Sequence, residues 1–65
     1  MLSFQSKLIA LRGDKTQAEV AAAVGISTSA LTMYETGHRV PRDEIKIALA
    51  RYFGVSVGYL FFDQE

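Results

Sequence analysis

Residues 27–34 read Ser27-Thr28-Ser29-Ala30-Leu31-Thr32-Met33-Tyr34, and this stretch has the makings of a helix with two unlike faces. Leu31 and Tyr34 are three apart and share one face, with Ala30 beside them. Thr28, Ser29, Thr32 and Met33 fall on the other. That second face carries no charge and no long flexible chain, only small hydroxyls and one thioether. A merely solvated helix normally carries Lys and Glu there, so this face looks made to touch something.

Working outward, Ser27 is a natural N-cap for the helix and Gly37 can close it. Only Gly25 and Ile26 separate Ser27 from an earlier helix, so the two helices must meet at a steep angle. The earlier helix opens on Thr16-Gln17-Ala18-Glu19, a capping box in which the Thr hydroxyl takes one amide and the Glu reaches back to another. Val20 and Val24 are its buried pair, Ala21 to Ala23 keep it slim, and Gly25 stands where a left-handed residue ends it.

A first helix is capped by Ser3, buries Phe4, Leu8 and Leu11 and stops at Gly13. A fourth begins near Pro41 with Asp43 as its cap. It runs to Phe53, turns Ile45, Ala48, Leu49, Tyr52 and Phe53 inward, and ends at Gly54. Ser56 caps a short fifth helix with Val57, Leu60 and Phe61 as its buried edge. No stretch alternates with period two, so the expected fold is all-α, a compact bundle of five helices without a core sheet.

The chain has 65 residues, the size of one small domain spanning 1–65, and a core this small is marginal. The start at Met1 and the polar end at Gln64-Glu65 point to a complete chain rather than a piece of a longer one. There is no cysteine, hence no disulfide and no thiolate metal site, which fits a reducing, cytoplasmic setting. No apolar run approaches the roughly 20 residues of a membrane span. Seven basic and seven acidic residues cancel, which argues against a strong non-specific nucleic-acid binder. The distribution is uneven: His38, Arg39 and Arg42 cluster after the two-faced helix, and Asp63 and Glu65 close the chain. One histidine, no cysteine and no glycine-rich phosphate loop leave no enzyme constellation. No cofactor, metal or small-molecule site is expected.

Gln17 to Thr36 resembles the helix-turn-helix of the phage-repressor family, the Cro- or Xre-like regulators with a lambda-repressor-like fold. Ala21 falls where the family wants a small residue at the helix crossing. Gly25 falls in the tight turn, and Val20, Val24, Ile26, Leu31 and Tyr34 occupy apolar positions. Leu11-Arg12, Glu35-Thr36-Gly37 and the tail Gly54-Val55-Ser56-Val57-Gly58-Tyr59-Leu60-Phe61 also match. Lys15, Asp43 and Lys46 depart from the pattern, and the last two leave the rotation of the fourth helix open.

The resemblance implies that the second motif helix lies in the major groove of double-stranded DNA. Thr28 and Ser29 are then the leading base readers, with Thr32 and Met33 next. Hydroxyls donate or accept, so they discriminate less than a bidentate side chain. Gln17, Ser27, His38, Arg39 and Arg42 are the expected phosphate contacts. Arg12 and Glu35 are the implied structural ion pair. Each has a plainer alternative: capping for the hydroxyls, core filling for Met33, ordinary solvated charge for the rest.

The sequence thus reads as a sequence-specific transcriptional regulator of prophage-repressor type, a homodimer on a palindromic operator. Ile47, Tyr59 and Phe62 are its expected dimer surface, since a fifth helix this short cannot bury two apolar stripes at once. The rival is a helical protein-interaction module, an antitoxin or adaptor, which zero net charge keeps open. Salt dependence separates the two, because only phosphate binding weakens steeply with salt.

Overall fold

The computed structural model describes residues 3–62. Met1, the acidic pair Asp63 and Glu65, and the Gln64-Glu65 end lie outside them. Five helical elements follow in order: α1 (Phe4–Arg12), α2 (Gln17–Val24), α3 (Thr28–Thr36), α4 (Asp43–Phe53) and a short π-helical segment, here α5 (Gly58–Phe62). The described residues contain no strand.

Side-chain caps set the starts of the first three helices. Ser3 Oγ accepts from the Ser6 amide at 3.2 Å. At α2 both halves of the capping box are made: the Glu19 amide donates to Thr16 Oγ1 at 3.0 Å and the Thr16 amide to Glu19 Oε1 at 2.8 Å. Ser27 Oγ accepts from the Ala30 amide at 3.0 Å. Each bond satisfies an amide that a helix start otherwise leaves open, worth about 1 kcal/mol.

The α2–α3 turn is built on Gly25, whose φ is +87°. Its amide and that of Ile26 both donate to the Ala21 carbonyl at 2.9 Å. The chain thus leaves α2 and caps α3 within three residues. A Cβ at Gly25 would meet nothing within 4 Å, so only the backbone conformation demands glycine there.

Two small buried clusters share a border. Leu8, Tyr34, Leu49, Ala50 and Leu60 form one, and Val20, Ala21 and Leu31 the other. Val24, Ile26 and Phe53 pack against both. Ala21 is 1% exposed, which leaves no room for a longer side chain where α2 meets α3. Leu60 is buried, and Phe61 packs against Phe4 with ring centroids 5.4 Å apart and the rings tilted by 41°.

The fourth helix departs from the sequence reading. Its N-cap is Arg42, without a side-chain bond, and Asp43 is its first residue rather than its cap. Tyr52, expected inward, is exposed, whereas Ala50 is buried. Ile45, Leu49 and Phe53 face inward as expected, and Lys46 and Ala50 complete the stripe at helical spacing. Lys46 belongs to it because its aliphatic stem covers apolar surface while its ammonium sits 5.6 and 4.9 Å from the ring centroids of Phe61 and Phe62. Lys7 does the same on α1. It is buried, donates to the Tyr59 carbonyl at 2.6 Å and lies 4.4 Å from the Tyr59 ring centroid.

Gly25→Val should therefore destabilise the fold by about 1–3 kcal/mol through strain alone. Ala21→Leu should cost a similar amount, about 1–3 kcal/mol, by overpacking. Thermal melting checks both, at about 4–8 °C per kcal/mol for a chain this size. Melts within a degree or two of the parent would contradict the turn and the crossing.

Candidate nucleic-acid interface

The first turn of α3 stands clear of the core. Thr28 and Ser29 are exposed, as is the cap Ser27. Ser27 Oγ accepts from the Ala30 amide, which leaves its own proton available to an outside acceptor. Thr32 and Met33, one turn on, are half-buried. The outer face holds no ionised group from Thr28 to Met33.

Threonines at 28, 32 and 36 fall on one line of the helix. Thr32 Oγ1 donates back to the Thr28 carbonyl at 3.0 Å and Thr36 Oγ1 to the Thr32 carbonyl at 2.9 Å. Past Thr36, the helix closes with Gly37 at φ +81°, and the His38 amide returns to the Met33 carbonyl at 2.9 Å. This fold-back, together with the Arg39 amide on the same carbonyl at 3.3 Å, keeps His38 and Arg39 close to the end of α3. Thr36 Oγ1 and His38 Nδ1 are 2.8 Å apart. His38, Arg39 and Arg42 are all exposed. The Arg39 charge also suits the negative end of the α3 dipole, whereas Arg42 is the N-cap of α4. Pro41 is buried and anchors the loop between the two arginines.

Behind this face, Glu35 is a junction of three helices. It is 6% exposed and accepts from Arg12 Nε at 2.8 Å, Arg12 Nη2 at 3.1 Å and Gln17 Nε2 at 2.9 Å. The planar fork of arginine suits this two-pronged approach to a carboxylate. Arg12 Nη1 meanwhile donates to the Lys15 carbonyl at 2.9 Å and so pins the α1–α2 turn. The hydrogen bond to Glu35 raises the Arg12 pKa above its already high ordinary value; desolvation opposes this, and the charge of Glu35 adds to it. A cation held at a raised pKa stabilises the fold below its unfolded-state value, so the guanidinium stays charged throughout the neutral range.

The structure also places Gln17 differently from a simple phosphate contact. Its side-chain amide joins Glu35 at one end and accepts from Thr32 Oγ1 at 3.0 Å at the other. What remains for an outside anion is the second N–H of Nε2 and the backbone amide in the first turn of α2. Sequence reading missed this link, and it missed buried Lys7 as well. For Lys7 the signal was present: it lies three from Phe4 and four from Leu11, on the apolar stripe. For Gln17 there was none, since its partners lie on two other turns of chain.

The family model for helix-turn-helix proteins matches residues 7–60. The chain is 36% identical over 64 residues to the cryptic phage CTXphi transcriptional repressor RstR of Vibrio cholerae. That match covers 95% of this chain but 58% of the relative, so the chain spans little more than half of that protein's length. In fold it is similar to the P22 c2 repressor protein, whose structure was solved in complex with synthetic operator 9T in the presence of Tl+. The TM-score is 0.90 at 25% identity, with 95% of this chain and 97% of that one covered.

Arg12→Ala leaves a buried carboxylate with one donor in place of three, and should cost about 1–3 kcal/mol. A double-mutant cycle with Glu35→Ala, read by urea unfolding, should show a coupling above about 0.5 kcal/mol. A coupling of zero would mean that the pair does not hold the helices together.

Proposed function

This chain belongs to the helix-turn-helix family, and we propose that it binds double-stranded DNA sequence-specifically and represses transcription from the site it covers. The observation that carries this reading is the exposed, charge-free first turn of α3, held on a rigid junction and flanked by exposed His38, Arg39 and Arg42. A helix presented in this way fits the major groove with its N-terminal residues at base edges. Thr28 and Ser29 read bases, with Met33 supplying an apolar contact to a thymine methyl. Thr32 lies beside them. Ser27, Arg39, Arg42, His38 and the start of α2 at Gln17 hold phosphates. The likeness to a repressor solved on its operator supports the same placement. The role is binding rather than catalysis, residues 1–65 act as one DNA-binding unit, and its place is the cytoplasm. Among the described residues no helix is long and apolar enough to cross a membrane.

The unit works as a homodimer of prophage-repressor type on a palindromic operator. The described residues extend 29 Å at most, short of the roughly 34 Å between half-sites one helical turn apart, which fits one copy per half-site. Ile47, Tyr59 and Phe62 supply the surface. They are 46%, 40% and 59% exposed and lie on α4 and α5, outside the groove-facing helix.

Selection from random duplex DNA should enrich one palindrome. Thr28 or Ser29 changes should alter preference at single positions by about 1 kcal/mol or more. Arg39→Ala or Arg42→Ala should weaken all sequences alike and lower the salt slope by about one unit each. No enrichment at low salt would favour a protein-interaction module instead.

Phe62→Glu should give a folded monomer with reduced operator affinity, because Lys46, 4.9 Å from the ring centroid, can receive the carboxylate. Sedimentation decides this: an unchanged dimer places the interface elsewhere, and a parent monomeric even on DNA removes the dimer.

A further inference from the structure

Tyr59 and Phe62 both stand on α5, and a helix of five residues is too short to hold its own place. Two lysines from other helices hold it. From α1, Lys7 donates to the Tyr59 carbonyl at 2.6 Å, and its Nζ lies 4.4 Å from the centroid of the Tyr59 ring. From α4, Lys46 Nζ lies 5.6 and 4.9 Å from the ring centroids of Phe61 and Phe62. An ammonium settles over the negative face of a ring, so it fixes the plane of the ring as well as its place. Burial of Lys7 strengthens its contact, because little water competes for the charge. Tyr59 and Phe62 are held in this way and still stay exposed.

The lysines also restrict what can meet these rings. A ring already carrying a cation is a poor site for a second one, so an apolar or acidic partner suits it better. A second copy of the chain brings both kinds of group. Ile47 is exposed on α4, and Asp43 Oδ1 stands 3.9 Å from Lys46 Nζ with its side chain 96% exposed. A surface with a lysine and a carboxylate side by side is complementary to itself under a two-fold rotation. We propose that Lys7 and Lys46 are positioning residues for self-association: they set the planes of Tyr59 and Phe62 so that these rings meet the same surface of a second copy of the chain. The proposal rests on the homodimer reading above and adds two residues that act through the rings.

The test is the self-association of Lys7→Met and Lys46→Met, read by sedimentation and set beside affinity for a duplex of one half-site. Methionine keeps most of the alkyl stem and removes the ammonium. Each change should weaken the dimer about two- to tenfold, the worth of one cation–π contact, and leave half-site affinity as in the parent. Lys46→Arg keeps a cation over the rings and should keep the dimer. Made in Phe62→Leu, the Lys46→Met change should weaken the dimer no further. A dimeric parent with an unchanged dimer in both Met variants would overturn the proposal and leave the dimer reading standing. A loss of dimer matched by an equal loss of half-site affinity would overturn it too, since that is a general loss of fold. A parent monomeric even on DNA removes the dimer and this role with it. If Lys7→Met does not fold, Lys46→Met carries the test together with the Lys46 ε-methylene NMR resonances. These should move as rising concentration drives self-association; resonances unmoved across the dimerisation contradict the proposal.

Discussion

Glu35 accepts three hydrogen bonds in a nearly water-free position, two from Arg12 and one from Gln17. The geometry of the outer face of α3 depends on it. An ionised carboxylate at 6% exposure is costly unless every donor arrives. Here the donors come from the end of α1 and the start of α2, while the carboxylate stands near the end of α3. Satisfying one charge therefore fixes three helices relative to one another. Apolar packing alone would do this less sharply, because Val20, Ala21 and Leu31 form only a small cluster.

That constraint leaves α3 free to be unusual on its outer side. Its inner side is held by Leu31, Tyr34 and Glu35, all buried. Its outer side needs no charge for solubility or salt bridging, and can present short hydroxyls to a groove. Positive charge is placed instead at the end of the helix, where Gly37 and the return of His38 and Arg39 to the Met33 carbonyl turn the chain. On the proposed function, reading and anchoring sit on separate segments joined by one glycine.

Much of this arrangement was legible in the sequence because its signals are local. The Thr16–Glu19 box, the Ser27 cap and Gly25 lie within a few residues of the structure they specify, and the first three helices begin and end where those residues place them. The fourth helix was harder. Its start has no side-chain cap, and its inward stripe contains Lys46, which a hydrophobic pattern assigns to solvent. Counting only apolar residues rotates the helix toward Tyr52 and away from Ala50. Lys7 is the same error on α1. In both, an alkyl stem and an aromatic ring do the work that a leucine would do elsewhere. The engagement of Gln17 with Thr32 was not legible at all, since it depends on how two helices cross rather than on either one.

On the proposed function, the junction at Glu35 presents the first turn of α3 to DNA. Backbone amide chemical-shift mapping on addition of the selected duplex tests it most directly. The largest changes should fall at Thr28, Ser29, Arg39, Arg42 and the α2 start around Gln17, with the Arg12 and Glu35 resonances retaining the signature of an intact pair. Changes confined to Ile47, Tyr59 and Phe62, with Thr28 and Ser29 silent, would contradict it.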